Sequence, residues 1–259
     1  MELLLKTSVI LLAGGFGTRM QSITPKQFLK LGEKPIVLHS FELFLDMPEI
    51  DEIVVVCPPA FRELFNLETA VMKAAPLEGN NDSKDYVSLS SPPVSRLKVS
   101  SEKKTIKFAL PGKRRQDSAY NGLKASENEL ICIHDAARPF ISKPLVLRVL
   151  EEGRIHGAAA VGMPVKFTIK EADSKNFVKN TPDRAKIWEI QTPQVLHREI
   201  LMEGFQYALQ HDITVTDDVS LAELIGKQVK LVEGSYENLK ITVPSDLTIV
   251  NQLLQSFPQ

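Results

Sequence analysis

The sequence predicts an α/β fold, a mostly parallel sheet with helices on both faces, and three observations carry that prediction. Apolar runs rich in β-branched residues recur at 8–12, 52–57, 106–110, 130–134 and 158–163. Most are separated by segments of helical periodicity, and strands that alternate with helices assemble into a covered parallel sheet. The chain of 259 residues, 43% hydrophobic and 24% charged, has the size and composition of one elaborated domain. The same figures exclude a collagen-like or disordered chain.

Each element follows from local chemistry. The run 8–12 opens directly into a glycine turn. Pro35 starts a helix through Ile36, Phe41, Leu43 and Phe44 that stops near Met47–Pro48, because proline is tolerated only in a first turn. Asp117 and Ser142 are expected to cap two further helices, the second carrying Pro144 and ending at Gly157. Ser245 is expected to cap a last helix with Leu247, Ile249, Val250 and Leu253 on its apolar side. The stretch 76–104, with seven Ser and three Pro, reads as a flexible surface insertion. In 163–192, alternating runs at 165–170 and 177–180 between turn residues predict a projecting β-ribbon arm. Such a ribbon needs a partner, and a second subunit is a common one. The expected organisation is thus a single domain, 1–259, bearing an insertion and an arm.

Composition also narrows the partners. Lys plus Arg number 31 against 32 Asp plus Glu, a net charge of -1, without the basic footprint that nucleic-acid backbones require. The apolar stretch 1–12 is too short to span a membrane. A soluble protein with no nucleic-acid or membrane partner is expected. Cys57 and Cys132 sit inside strand runs and read as reduced core residues.

The strongest chemical signal is Leu12-Ala-Gly-Gly-Phe-Gly-Thr-Arg19, continuing to Pro25-Lys26-Gln27. Gly14, Gly15 and Gly17 permit close backbone approach, so successive N–H groups can face phosphate oxygens. The spacing fits neither the dinucleotide fingerprint nor the Walker loop. Arg19 and Lys26 add a bidentate cation and a point charge, the pair needed to neutralise a triphosphate and its transition state. Asp135 ends an apolar strand, where open α/β sheets place ligands, although a capping or ion-pair role fits it equally. The turn Pro111-Gly-Lys-Arg-Arg-Gln-Asp-Ser118 leads into a helix N-terminus that favours anions.

With His134-Asp-Ala-Ala-Arg-Pro139, Trp188-Glu-Ile-Gln-Thr-Pro-Gln194, Thr216-Asp-Asp218 and Asn238-Leu-Lys-Ile-Thr242, these motifs resemble the sugar nucleotidyltransferases, and most closely the 2-C-methyl-D-erythritol 4-phosphate cytidylyltransferase family. The resemblance covers nearly the whole chain outside 76–104. It implies a Rossmann-like three-layer nucleotidyltransferase fold whose arm dimerises, and transfer of CMP from CTP to the sugar-alcohol phosphate by in-line attack of the substrate phosphate. It makes Arg19, Lys26, Arg184 and Lys240 catalytic. Ala13, Gly14, Gly15, Gly17, Thr18, Gly112, Arg115, Ser118, Asp135 and Ala136 would bind the nucleotide. Asp135, Arg138, Thr168, Arg184, Thr192, Thr216 and Lys240 would bind the sugar phosphate, with Arg184 and Thr192 reaching it from a neighbouring subunit. Asp135 would help hold Mg²⁺. His134 reads as structural, since magnesium has little use for imidazole. The resemblance also implies a homodimer in the bacterial cytoplasm or plastid stroma. A pentitol phosphate such as ribitol 5-phosphate is the alternative substrate, with the arm as the discriminating feature. A nicotinamide oxidoreductase fails on loop spacing and on the lack of an acidic residue after the second strand.

Overall fold

The computed structural model describes residues 5–15, 24–65 and 104–256. The expected insertion 76–104 lies outside them except for Lys104, whose ammonium donates to the Phe44 carbonyl at 3.1 Å. The strands are β1 (Thr7–Leu12), β2 (Lys30–Leu31), β3 (Lys34–Pro35), β4 (Glu52–Val56), β5 (Thr105–Ala109), β6 (Leu130–Asp135), β7 (Ala158–Pro164), β8 (Glu171–Ala172), β9 (Val178–Asn180), β10 (Trp188–His197) and β11 (Lys230–Glu233). The helices are α1 (Ile36–Leu45), α2 (Arg115–Ala125), α3 (Lys143–His156), α4 (Arg198–Gln210), α5 (Ser220–Leu224) and α6 (Pro244–Ser256).

Among the described residues the main sheet has seven strands in the order β11-β7-β10-β6-β1-β4-β5. Only β10 runs antiparallel, between β6 and β7. The period-two alternation of side chains divides each strand between two cores. Val9, Leu11, Ile53, Val55, Leu130 and Cys132 face the helices α1 and α3. Ile10, Val54, Val56, Ile131 and Ile133 face α2, α4 and α5. Both faces are therefore covered, as near-continuous apolar strands require. The cysteines are free and buried in this core, and burial pushes their thiols up to about 11 at Cys57 and about 12 at Cys132.

Local chemistry sets the helix ends. Pro35 occupies the N-cap of α1, and Ser142 caps α3, accepting from the Leu145 N–H. Gly157 closes α3 with a left-handed φ of 79°. Two expected caps differ. Arg114, not Asp117, is the N-cap of α2, and the Asp117 carboxylate reaches back from the first turn to the Arg114 N–H at 3.0 Å. At α6 the acceptor is Asp246 and not Ser245, because a carboxylate can take the N–H groups of both Thr242 (2.7 Å) and Val243 (3.0 Å). The ribbon is present as the antiparallel pair β8 and β9, but 165–170 forms no strand.

Candidate active site

The C-terminal ends of β1 and β6 lie side by side, with Leu12 in register with Asp135. The loop after β1, the turn after β5 and the segment 240–242 close around them. Gly14 is needed where the first two meet, since a Cβ there would stand 2.3 Å from the Pro111 Cβ. A cleft of about 470 Å³ results, lined by Gly14, Gly15, Lys26, Arg115, Asp135 and Lys240 with Gly112, Lys113, Arg114 and Ser118 at its other wall. Five cationic residues and one carboxylate line it; Arg114 and Arg115 also pair with Asp117 and Asp218 behind the wall, which leaves the lysines in excess of Asp135. That imbalance in a partly enclosed site selects a polyanionic ligand.

The Asp135 carboxylate sits at the centre, with Lys240 Nζ 2.6 Å from Oδ2 and Arg115 Nε 3.0 Å from Oδ1. Burial alone would raise this carboxyl, but Arg115 and Lys240 hold it well below the usual carboxylate range. Arg115 is in turn gripped by the buried Asp218, at 2.9 and 2.7 Å through its two terminal nitrogens. Burial opposes the Arg115 charge, yet Asp218 and Asp135 outweigh it and keep the guanidinium protonated. The Asp218 backbone N–H and that of Val219 both donate to Gln194 Oε1, at 2.8 and 3.0 Å, so β10 anchors this carboxylate.

Beneath Asp135 lies a closed ring of hydrogen bonds. His134 Nε2 is 3.1 Å from the Arg138 carbonyl and its Nδ1 is 3.1 Å from Thr192 Oγ1. Asn238 donates to the Thr192 carbonyl at 2.9 Å, and Arg138 donates to the Asn238 carbonyl at 2.6 Å. A carbonyl only accepts, so the His134 proton resides on Nε2 and the Thr192 hydroxyl donates to Nδ1. The same hydroxyl accepts the Asp135 N–H at 3.1 Å. Burial holds His134 neutral, its pKa lowered to about 4. Its structural reading fits this position.

The expected residues separate accordingly. Lys26, Gly14, Gly15, Gly112, Arg115, Ser118, Asp135 and Lys240 line one cleft. Ala13 and Ala136 are buried, their N–H groups bonded to the Val56 and Leu12 carbonyls at 2.9 and 3.1 Å. Gly17, Thr18 and Arg19 lie outside the described residues. Arg138 and Thr192 stand behind the cleft in the ring, so the Thr192 hydroxyl is committed within its own chain and is not offered outward. Thr216 is exposed, and so are Thr168 and Arg184, Arg184 donating to the Lys166 carbonyl at 3.2 Å. Gln27, Gln194 and Asp218 were not singled out from the sequence. All three stood inside quoted motifs, and what sets them apart is the partners they find on folding.

No helix among the described residues is long and apolar enough to cross a membrane. The family model described as 2-C-methyl-D-erythritol 4-phosphate cytidylyltransferase matches residues 7–90 and 80–256. The chloroplastic enzyme of that name from Oryza sativa subsp. japonica is 43% identical over 249 residues, covering 95% of this chain and 74% of its own. The Chlamydia pneumoniae relative of the same name is 38% identical over 251 residues, 97% of this chain and 100% of its own. Among solved structures, 4-diphosphocytidyl-2C-methyl-D-erythritol synthase from Anaerococcus prevotii superposes with a TM-score of 0.75 at 25% identity, covering 97% and 99% of the two chains. The Thermus thermophilus cytidylyltransferase gives 0.70 at 28%, covering 96% and 99%.

Proposed function

The chain belongs to the 2-C-methyl-D-erythritol 4-phosphate cytidylyltransferase family, and from that premise we propose how its cleft performs the reaction. The enzyme transfers CMP from CTP to 2-C-methyl-D-erythritol 4-phosphate, giving CDP-methylerythritol and pyrophosphate. The observation that carries the mechanism is the cleft at the ends of β1 and β6, with cations on both walls and a single carboxylate between them. The glycine loop after β1 receives the triphosphate on its N–H groups, and the stretch from Gly112 to Ser118 receives cytosine and ribose.

The sugar-phosphate monoester is its own nucleophile, being anionic near neutral pH, so no general base is required. Its oxygen attacks the α-phosphorus in line with the bond to pyrophosphate. Charge then grows on the non-bridging and leaving oxygens, and Lys26 together with Arg19 offsets it. Such pre-placed cations act far more strongly in a partly desolvated cleft than in water. Lys240 orients the incoming phosphate while Asp135 holds Lys240 and Arg115 at fixed separation. Arg138 and Thr192 support that wall, with Thr216 at its rim.

The described residues offer magnesium one carboxylate, already paired at both oxygens, and they contain no cluster of three or more His, Cys, Asp or Glu. They do not fit an ion held by the protein, and no step here runs through one. We propose magnesium dependence on the charge of the triphosphate itself, whose oxygens are the ligands this ion prefers. Thr168 and Arg184, on the exposed arm, would complete the site of a second copy in a homodimer. One relative is chloroplastic and others are bacterial, and the plastid stroma or the bacterial cytoplasm is the proposed location.

Pyrophosphate release with CTP and Mg²⁺ tests the reading. Turnover that requires 2-C-methyl-D-erythritol 4-phosphate and is far slower with ribitol 5-phosphate is expected; preference for ribitol phosphate would overturn the substrate assignment.

A further inference from the structure

The short 3₁₀ turn Lys26–Phe28 sends three consecutive side chains to three different parts of the molecule. Lys26 Nζ donates to the Ile241 carbonyl, beside the Lys240 wall. Phe28 stacks on Phe61 with ring centroids 3.8 Å apart. Gln27, only 3% exposed, turns inward and spends both hydrogens of its amide on the glycine loop, at 2.7 Å to the Ala13 carbonyl and 3.0 Å to the Gly15 carbonyl.

In a trans peptide the C=O and N–H lie in one plane and point in opposite directions. Holding the Ala13 carbonyl on the inner side therefore turns the N–H of that peptide unit, which belongs to Gly14, outward. Glycine-rich backbone has no such preference of its own, since it visits many conformations at little cost. A loop that must present N–H groups to phosphate without ordering them anew at each turnover needs an external fastener. Gln27 has the matching chemistry, two donors on one planar group, and its neighbour in sequence is the cation that acts on the same phosphates.

We propose that Gln27 is a positioning residue that pins the peptide planes of the phosphate loop and fixes their distance from Lys26. This rests on the cytidylyltransferase reading, and deepens it by assigning the order of the phosphate subsite to one buried amide. It touches no substrate atom.

Two variants of the full chain test it. Gln27→Met keeps the volume and removes both donors. With two pinning bonds lost, the KM for CTP and the inhibition constant of pyrophosphate are expected to rise by about tenfold or more. The inhibition constant of cytidine, which lacks phosphate, should stay within about twofold, as should the KM of the sugar phosphate. Gln27→Glu cannot donate while ionised, but burial favours its neutral form, which donates once. Its activity relative to wild type should therefore climb as pH falls from about 9 to 6. Unchanged CTP and pyrophosphate constants in Gln27→Met overturn the proposal. So does equal weakening of cytidine and pyrophosphate, which would mark a general loss of structure. An inactive wild type would instead sink the enzymatic reading.

Discussion

For single residues, placement matters more than identity. Lys26 and Lys240 are both lysines at the cleft, but one rests on a carbonyl and the other on a buried carboxylate. Lys26 also feels the Asp246 carboxylate but stands beside the phosphate loop, whereas Asp135 keeps Lys240 where it is. Lys26→Ala should accordingly lower kcat by about 100-fold or more with little change in the KM for CTP, measured by pyrophosphate release. An equal fall in affinity would make Lys26 a binding residue only. Acid sensitivity also belongs here. Burial lowers His39 and His134 to about 4, from the ordinary 6.5. The unfolded chain takes up these protons first, so the stability they protect is present above pH 6.5 and is lost as pH falls towards 4. His134 faces Asp135, Arg138 and Arg115, and the loss it carries is of the order of 3 kcal/mol. Asp218, raised by burial, works in the opposite sense. Urea midpoints that decline between pH 7 and 4.5 are expected, and a flat profile would show that the histidines are not held neutral.

Among the elements, those nearest the site are placed by close approach more than by intrinsic propensity. Gly122 lies inside α2, where alanine would ordinarily be the better helix former by about 1 kcal/mol. A Cβ there would meet Ile10 Cγ2 at 2.4 Å and Val56 Cγ2 at 3.0 Å. Overpacking of this kind costs about 1–3 kcal/mol and outweighs the propensity gain. Gly122→Ala is thus expected to lower the denaturation midpoint and, because α2 carries Arg115 and Ser118, to raise the KM for CTP; a stabilised variant would contradict the packing. Strands and helix starts at Pro35 and Ser142 were legible from apolar runs and capping residues. The start of α2 was not, because Asp117 serves a cap equally well from the N-cap and from the first turn, and only the partner Arg114 decides between them. The run 165–170 alternates like a strand but finds no neighbouring strand to complete its ladder.

For the whole molecule, the exposed arm is the feature that a single chain leaves unsatisfied. Phe167, Phe177 and Val178 are 78%, 69% and 62% exposed on it. An isolated two-stranded ribbon is marginal in water, and the proposed homodimer would bury these apolar residues against a second copy. If Arg184 crosses into that copy, Lys26→Ala and Arg184→Ala enzymes mixed after dissociation should recover about a quarter of wild-type activity, the share of intact sites in randomly paired dimers. No recovery would place Arg184 in its own chain's site or outside catalysis.

Fold class, phosphate loop and most of the cationic residues were already written in the chain, because strand period, glycine and charge are properties of sequence. So was the family, through ordered motifs spread along 259 residues. Which of those residues share a cleft, and which stand behind it, emerged only on folding. Arg138 and Thr192 read from sequence like ligand contacts, yet they form a ring with His134 and Asn238 that supports Asp135 from below. Gln27, Gln194 and Asp218 stood in the sequence only as members of motifs, yet they are buried supports for the loop and for Arg115. One physical reason is common to all of them. A polar side chain declares its donors and acceptors in the sequence, but its role depends on which partners the folded chain brings within hydrogen-bond reach once water is removed.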